Sequence, residues 1–206
     1  MNEPPLPQEP ETRAPGLNFQ KFKAGGHWRT VLIAAIVLGV FLLTVRIVNP
    51  PADSIIRAKQ ATGLATAVSI ERAIQNFFTE YGTIPDVGRR VTTDSPEGRK
   101  LLSILLGLDE KSDKPLNSRA VKFLSVNEGK ASPSRNGLIY NATGNAVEGQ
   151  YDPWGNPYTV ELDVEQKERL HFTIASKAID LEGRRAAVYS PGPDKKLGTA
   201  DDVTTW

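Results

Sequence analysis

The chain has no cysteine, two histidines and one methionine in 206 residues. Without cysteine there can be no disulfide, no thiolate zinc site and no thiol nucleophile. His27 and His171 lie far apart in the chain, which argues against an imidazole-based metal centre. Neither sign of charge is in excess, since 25 Lys and Arg against 24 Asp and Glu leave +1. That balance gives no reason to expect nucleic acid or an acidic substrate as a partner. The sequence also lacks Gly-x-Ser-x-Gly, His-Glu-x-x-His and a phosphate loop. The expectation is therefore a protein that is not an enzyme and has no small-molecule substrate.

A further absence is local. No acidic residue occurs between Glu11 and Asp53. Inside that interval, "TVLIAAIVLGVFLLTVRIV" (Thr30–Val48) is apolar except for polar threonines and Arg46 near its end. About 20 such residues in a helix span a bilayer core, and a terminal arginine can reach the headgroups. The expectation is a single transmembrane helix over 30–48. Asn49-Pro50-Pro51 comes next, where a cleaved secretory signal would place a small-x-small site. Lys21, Lys23 and Arg29 precede the run, and Arg57 and Lys59 succeed it with Asp53 between them. This asymmetry points to a cytoplasmic N-terminus. Residues 1–29 carry five prolines in the first fifteen positions and read as a disordered, Pro-rich cytoplasmic tail.

The rest of the chain has the pattern of a stem and a head. Over 52–82, Leu64, Ala67, Glu71, Ile74, Phe78 and Tyr81 fall at three- and four-residue steps, and Ile70 and Phe77 widen the stripe. Glu71 is the one charge on that face, placed either to pair with an arginine of the head or to sit at its rim. Gly82 and Pro85 end the helix. The head, 83–206, opens with a capped helix over about 96–106. "AVKFLSV" and "NGLIYNATG" read as short strands. "PYTVELDV", "RLHFTIAS" and "RAAVYSPG" alternate in period two, which predicts an antiparallel meander. On this reading Glu161, Asp163 and Glu165 form a solvated face. The fold class is α+β: a transmembrane helix continuing into a long amphipathic stem helix packed on a small antiparallel sheet.

Two turn-rich segments carry the remaining interest. In "YDPWGNPYTV", Asp152-Pro153 and Gly155-Asn156-Pro157 set a tight turn, and Trp154 reads as a packing residue. The chain ends "SPGPDKKLGTADDVTTW", with Asp194, Asp201 and Asp202 on a loop bent by Gly192, Pro193 and Gly198. Hard oxygen donors on such a loop suit calcium, although the spacing is not that of a helix–loop–helix site. Lys195 and Lys196 could instead balance the carboxylates. From the residues alone both accounts stand.

The ordered set of "FFTEYGTIPD" closing the stem, "SPEGRKLLSILLG", "DPWGNPY" and the final loop resembles the major pseudopilin (G-type subunit) of bacterial type II secretion. The likeness covers roughly 50–108 and 150–206. It implies a pilin-like head with a Ca2+ ion in the C-terminal loop. The side chains of Asp194, Asp201 and Asp202 and the carbonyls of Pro191 and Thr199 would be its ligands, with Trp206 as a clasp. It also implies a structural subunit at the bacterial inner membrane, its head in the periplasm. Partners would be other secretion-system subunits, or copies of itself. The N-terminus departs from the family. "AGGHWRTVLIAAIVL" offers Gly25 and Gly26 but no Phe-Thr-Leu-Ile-Glu after them, so an unprocessed tail is expected. The alternative is a membrane-anchored adaptor that uses the same head outside any filament.

Overall fold

The protein is described from a computed structural model, which covers residues 27–48, 52–109, 114–131 and 134–206. The Pro-rich tail through residue 26, with Gly25 and Gly26, and the Asn49–Pro51 junction lie outside these residues. The chain divides into two units, 1–50 and 51–206, and each is described by itself.

In the first unit α1 spans His27–Val48. The expectation of a transmembrane helix over 30–48 is corrected here: among the described residues, no helix is long and apolar enough to cross a membrane. The described side chains of α1 run from Trp28 to Leu42.

The second unit is α+β. Its long helix α2, Ala52–Tyr81, follows the apolar stripe and stops at Gly82, whose N–H donates to the Phe78 carbonyl at 2.7 Å. Ala67, Ile70, Ala73, Ile74 and Phe77 are fully or almost fully buried. Burying each of the three large ones is worth about 1.5–3 kcal/mol. Leu64, expected on this face, is instead 43% exposed. After β1 (Arg90–Thr92), α3 runs Pro96–Leu105, with the Ser95 side chain accepting from the Gly98 N–H and Pro96 in the first turn. Leu101, Leu102, Ile104 and Leu105 join the core.

Residues 120–126 form no strand, contrary to the sequence reading. The Phe123 and Leu124 N–H groups both donate to the Leu105 carbonyl, at 2.9 Å each. The backbone of this segment is used to close the end of α3. Buried Asn117 fixes the preceding turn by donating to the Ile104 and Val121 carbonyls. "NGLIYNATG" does contain a strand, β2 (Gly137–Tyr140), which pairs with β3 (Val147–Tyr151).

The remaining strands are β4 (Thr159–Leu162), β5 (Arg169–Ile174), β6 (Lys177–Glu182), β7 (Ala186–Ser190) and β8 (Val203–Thr204). All pairings between them are antiparallel, but the meander is not formed. The central sheet has the order β1-β4-β7-β8, while β5 and β6 make a separate hairpin. Alternation along the strands splits the interior in two. Tyr158, Val160, Leu162, Ala186 and Val188 pack with α2 and α3. On the other face Ala187 and Tyr189 meet Leu170, Phe172 and Ile174 of the hairpin. The hairpin covers the face assigned to solvent, so Glu161 and Asp163 are only 2% and 3% exposed. Glu161 is paired there with Arg90 and accepts from the Tyr189 hydroxyl at 3.1 Å.

Candidate functional site

The C-terminal loop leaves β7 at Ser190 and returns as β8 at Val203. Pro191 precedes a single 3-10 turn, Gly192–Asp194, after which Lys195 takes a left-handed conformation with φ 60°. Gly192 has φ +66°, and a Cβ there would lie 2.2 Å from the Asp201 carbonyl oxygen. Only glycine lets the two limbs of the loop approach this closely.

Each of the three loop carboxylates has one oxygen engaged by backbone. Asp194 Oδ1 accepts from the Lys196 N–H at 2.8 Å, and Asp201 Oδ2 accepts from the Asp194 N–H at 3.2 Å. Asp202 Oδ2 accepts from the Gly198 N–H at 2.7 Å. The Thr199 hydroxyl donates to the second oxygen of Asp201, Oδ1, at 2.6 Å and lies 3.4 Å from that of Asp202, Oδ1. The Thr199 hydroxyl, followed by the Asp194 N–H, holds the Asp201 carboxyl below its ordinary range. The carbonyl of Thr199 takes the Asp202 N–H at a long 3.5 Å.

The loop is anchored to the turn at 152–157. Asp152, with no exposed surface, accepts at Oδ1 from the N–H groups of Trp154 and Asn156, at 2.8 and 2.9 Å. Its Oδ2 accepts from the Asn156 amide and the Ser190 hydroxyl, both at 2.9 Å. Asn156 then donates to the Gly192 carbonyl at 2.7 Å. A buried carboxylate that collects this many donors is a strong organiser of backbone. It ties the start of the loop to the turn. Trp154 packs against the main core, close to Gly63 of α2. Tyr158 completes this corner, donating to the Gly63 carbonyl at 3.0 Å. Burial, then the Asp152 carboxylate, pushes the Tyr158 hydroxyl far above its ordinary range.

Trp206 closes the other end. Its ring meets Phe172 and Tyr189 edge-on, with centroids 5.5 and 5.8 Å away. The clasp therefore grips the β5–β6 hairpin side of the sheet.

The five residues named for calcium thus share one loop. Among the described residues no group of three His, Cys, Asp or Glu side chains is placed to hold a metal ion. The donor set nevertheless fits the chemistry of calcium, being oxygen throughout, with each carboxylate oriented by the loop's own N–H groups. Lys195 and Lys196 take part in none of the ion pairs among the described residues. Three contributors escape the sequence reading. Thr199 enters that reading only through its carbonyl, whereas its hydroxyl joins two aspartates. Asp152 and Asn156 look like turn residues, and the bond from the Asn156 amide to the Gly192 carbonyl crosses 36 positions that no local pattern connects. Comparison with protein-family models, curated proteins and solved structures gives no match.

Proposed function

We propose that residues 52–206 are the stem and head of a structural subunit in a type II secretion or related pilus-like assembly, and that the C-terminal loop holds a calcium ion. The observation that carries this reading is the arrangement of Asp194, Asp201 and Asp202. Each has one oxygen fixed by the loop backbone, and the loop itself is tied to the buried Asp152–Asn156 turn. Three carboxylates on one short loop repel one another, and a divalent cation relieves that repulsion. Pro191 and Thr199 would add backbone carbonyls. The ordered motifs that resemble the pseudopilin family support the same assignment, together with a periplasmic place of work beside other subunits of the system or copies of this chain. No membrane-spanning helix is part of the proposal.

A second reading is favoured by one feature. The interval from Glu11 to Asp53 contains no acidic residue, so the charge pairing that guides pseudopilins into a filament has no partner here. An adaptor that uses the same head outside a filament accommodates this.

The test is thermal unfolding of the full chain with chelator and then with calcium or magnesium. A ligand that binds only the folded state stabilises by about 2.7 kcal/mol at a hundredfold excess over Kd. Calcium should raise the melting temperature after chelation, and magnesium should do so poorly because it demands tighter octahedral geometry. A melting curve indifferent to chelator and calcium rules the site out.

A further inference from the structure

Glu71, the one charge on the apolar stripe of α2, pairs with an arginine of the head. Arg184, in the turn between β6 and β7, donates from Nη1 to Glu71 Oε1 at 2.8 Å and to the Thr205 carbonyl at 2.9 Å. Both N–H groups of Nη1 are thereby used, and the three donors on Nε and Nη2 enter neither bond. The guanidinium is held by one corner, which presets the direction of its remaining donors. This pair belongs to a groove of about 410 Å³, whose lining includes Glu71, Arg72 and Gln75 of α2 and Arg184, Arg185 and Thr205 of the head. Glu71, Arg72 and Gln75 fall within one turn of helix and share a side of it. Arg185 is set firmly as well, since its guanidinium lies 3.7 Å over the Phe78 ring and pairs with Glu168. Arg72 is exposed and takes part in no ion pair among the described residues.

The charges narrow the class of occupant. Glu71 answers Arg184 and Glu168 answers Arg185, so the charge of Arg72 is left over. A planar arginine fork matches a carboxylate, and a surplus of one charge suits a monoanion better than a dianion such as phosphate. Arg72 and Gln75 are exposed, so the groove is open along α2. Small-molecule sites bury most of their ligand, whereas an acidic side chain on another protein can reach an open groove without being enclosed. We propose that this groove docks an acidic segment of a partner protein, one of whose glutamate or aspartate carboxylates is bound by Arg72 and Arg184. None of the lining residues belongs to the C-terminal loop, and the docking does not depend on calcium.

The experiment is titration of the full chain followed by NMR chemical shifts, at low ionic strength so that exposed charges are little screened. The probes are a blocked tripeptide with one glutamate, the same peptide with glutamine in its place, acetate and inorganic phosphate. The glutamate peptide should give saturable shifts at Arg72, Arg184 and Arg185 that fade as salt is added, and the glutamine peptide should give none. Arg72→Gln removes the surplus charge at an exposed position without an ion pair. It should leave the melting temperature unaltered and weaken binding severalfold. Gln75→Glu, which adds a competing carboxylate to the same wall, should weaken it likewise. The proposal is overturned if the two peptides behave alike, if exposed Arg99 of α3 shifts and saturates equally, or if both variants bind as tightly as the unaltered chain. Acetate or phosphate binding as tightly as the glutamate peptide overturns it too, since the groove would then be a site for a free anion.

Discussion

Gly192→Ala tests how the loop is built, because its cost can be separated into parts. At φ +66° an alanine bears the left-handed penalty of about 1–2 kcal/mol. Its Cβ would also lie 2.2 Å from a backbone atom, the Asp201 carbonyl oxygen, which cannot swing aside as a long side chain can. The limb carrying Asp201 must move, and the Asp194 N–H to Asp201 bond is put at risk. So is the Asn156 bond to the Gly192 carbonyl. At about 0.5–1.5 kcal/mol for each of the two hydrogen bonds, the total comes to about 2–5 kcal/mol. Gly82→Ala supplies the control, since Gly82 has φ +71° and nothing within 4 Å of an added Cβ. It should cost only the conformational part. Unfolding followed by circular dichroism should therefore show Gly192→Ala losing about twice as much as Gly82→Ala, or more. For a domain of this size each kcal/mol is worth about 2–4 °C. Trp206 fluorescence should change in the first variant alone, because its ring ends the same loop and is held by Phe172 and Tyr189. Equal losses for the two glycines would refute the close approach of the loop's limbs.

Phe77→Ala and Ile74→Ala should each cost about 2–5 kcal/mol in chemical denaturation; near-unaltered midpoints would show that this stripe is not core. Tyr189→Phe leaves the buried Glu161 without one of its donors and should destabilise by about 1–3 kcal/mol, with no loss expected if that side of the sheet were solvated. Arg169, by hydrogen bonding, holds the Asp180 carboxyl below its ordinary range. A depressed folded-state pKa stabilises above the unfolded value, about 3.9, and that contribution is lost as the pH falls through the folded value. Melting temperatures taken from neutral pH down into this range should fall, and Asp180→Asn should flatten the acid limb slightly because the pair is exposed.

The parts of the fold that are legible in the sequence are those set by local chemistry. The stripe from Ala67 to Phe77 needs only helical spacing to be read, and Ser95-Pro96 announces α3 through its cap. Glu161 and Asp163 mislead because period two tells which residues share a face, not what covers it. The β5–β6 hairpin folds over that face and supplies the covering. Phe123 and Leu124 look like strand because they are large and apolar, yet their N–H groups are taken by the end of α3. The apolar run at 30–48 reveals the presence of a helix but not its fit to a bilayer. In the candidate site, aspartate and glycine mark the loop. The tie from Asn156 to Gly192 is invisible in the sequence because it joins distant segments through a buried carboxylate.

Calcium in the C-terminal loop is tested most directly by calorimetric titration of the chelator-treated full chain. The expected result is one saturable binding heat, absent in Asp201→Asn and retained in Lys195→Ala. No heat, an unaltered titration in Asp201→Asn, or a response lost with Lys195→Ala would contradict it.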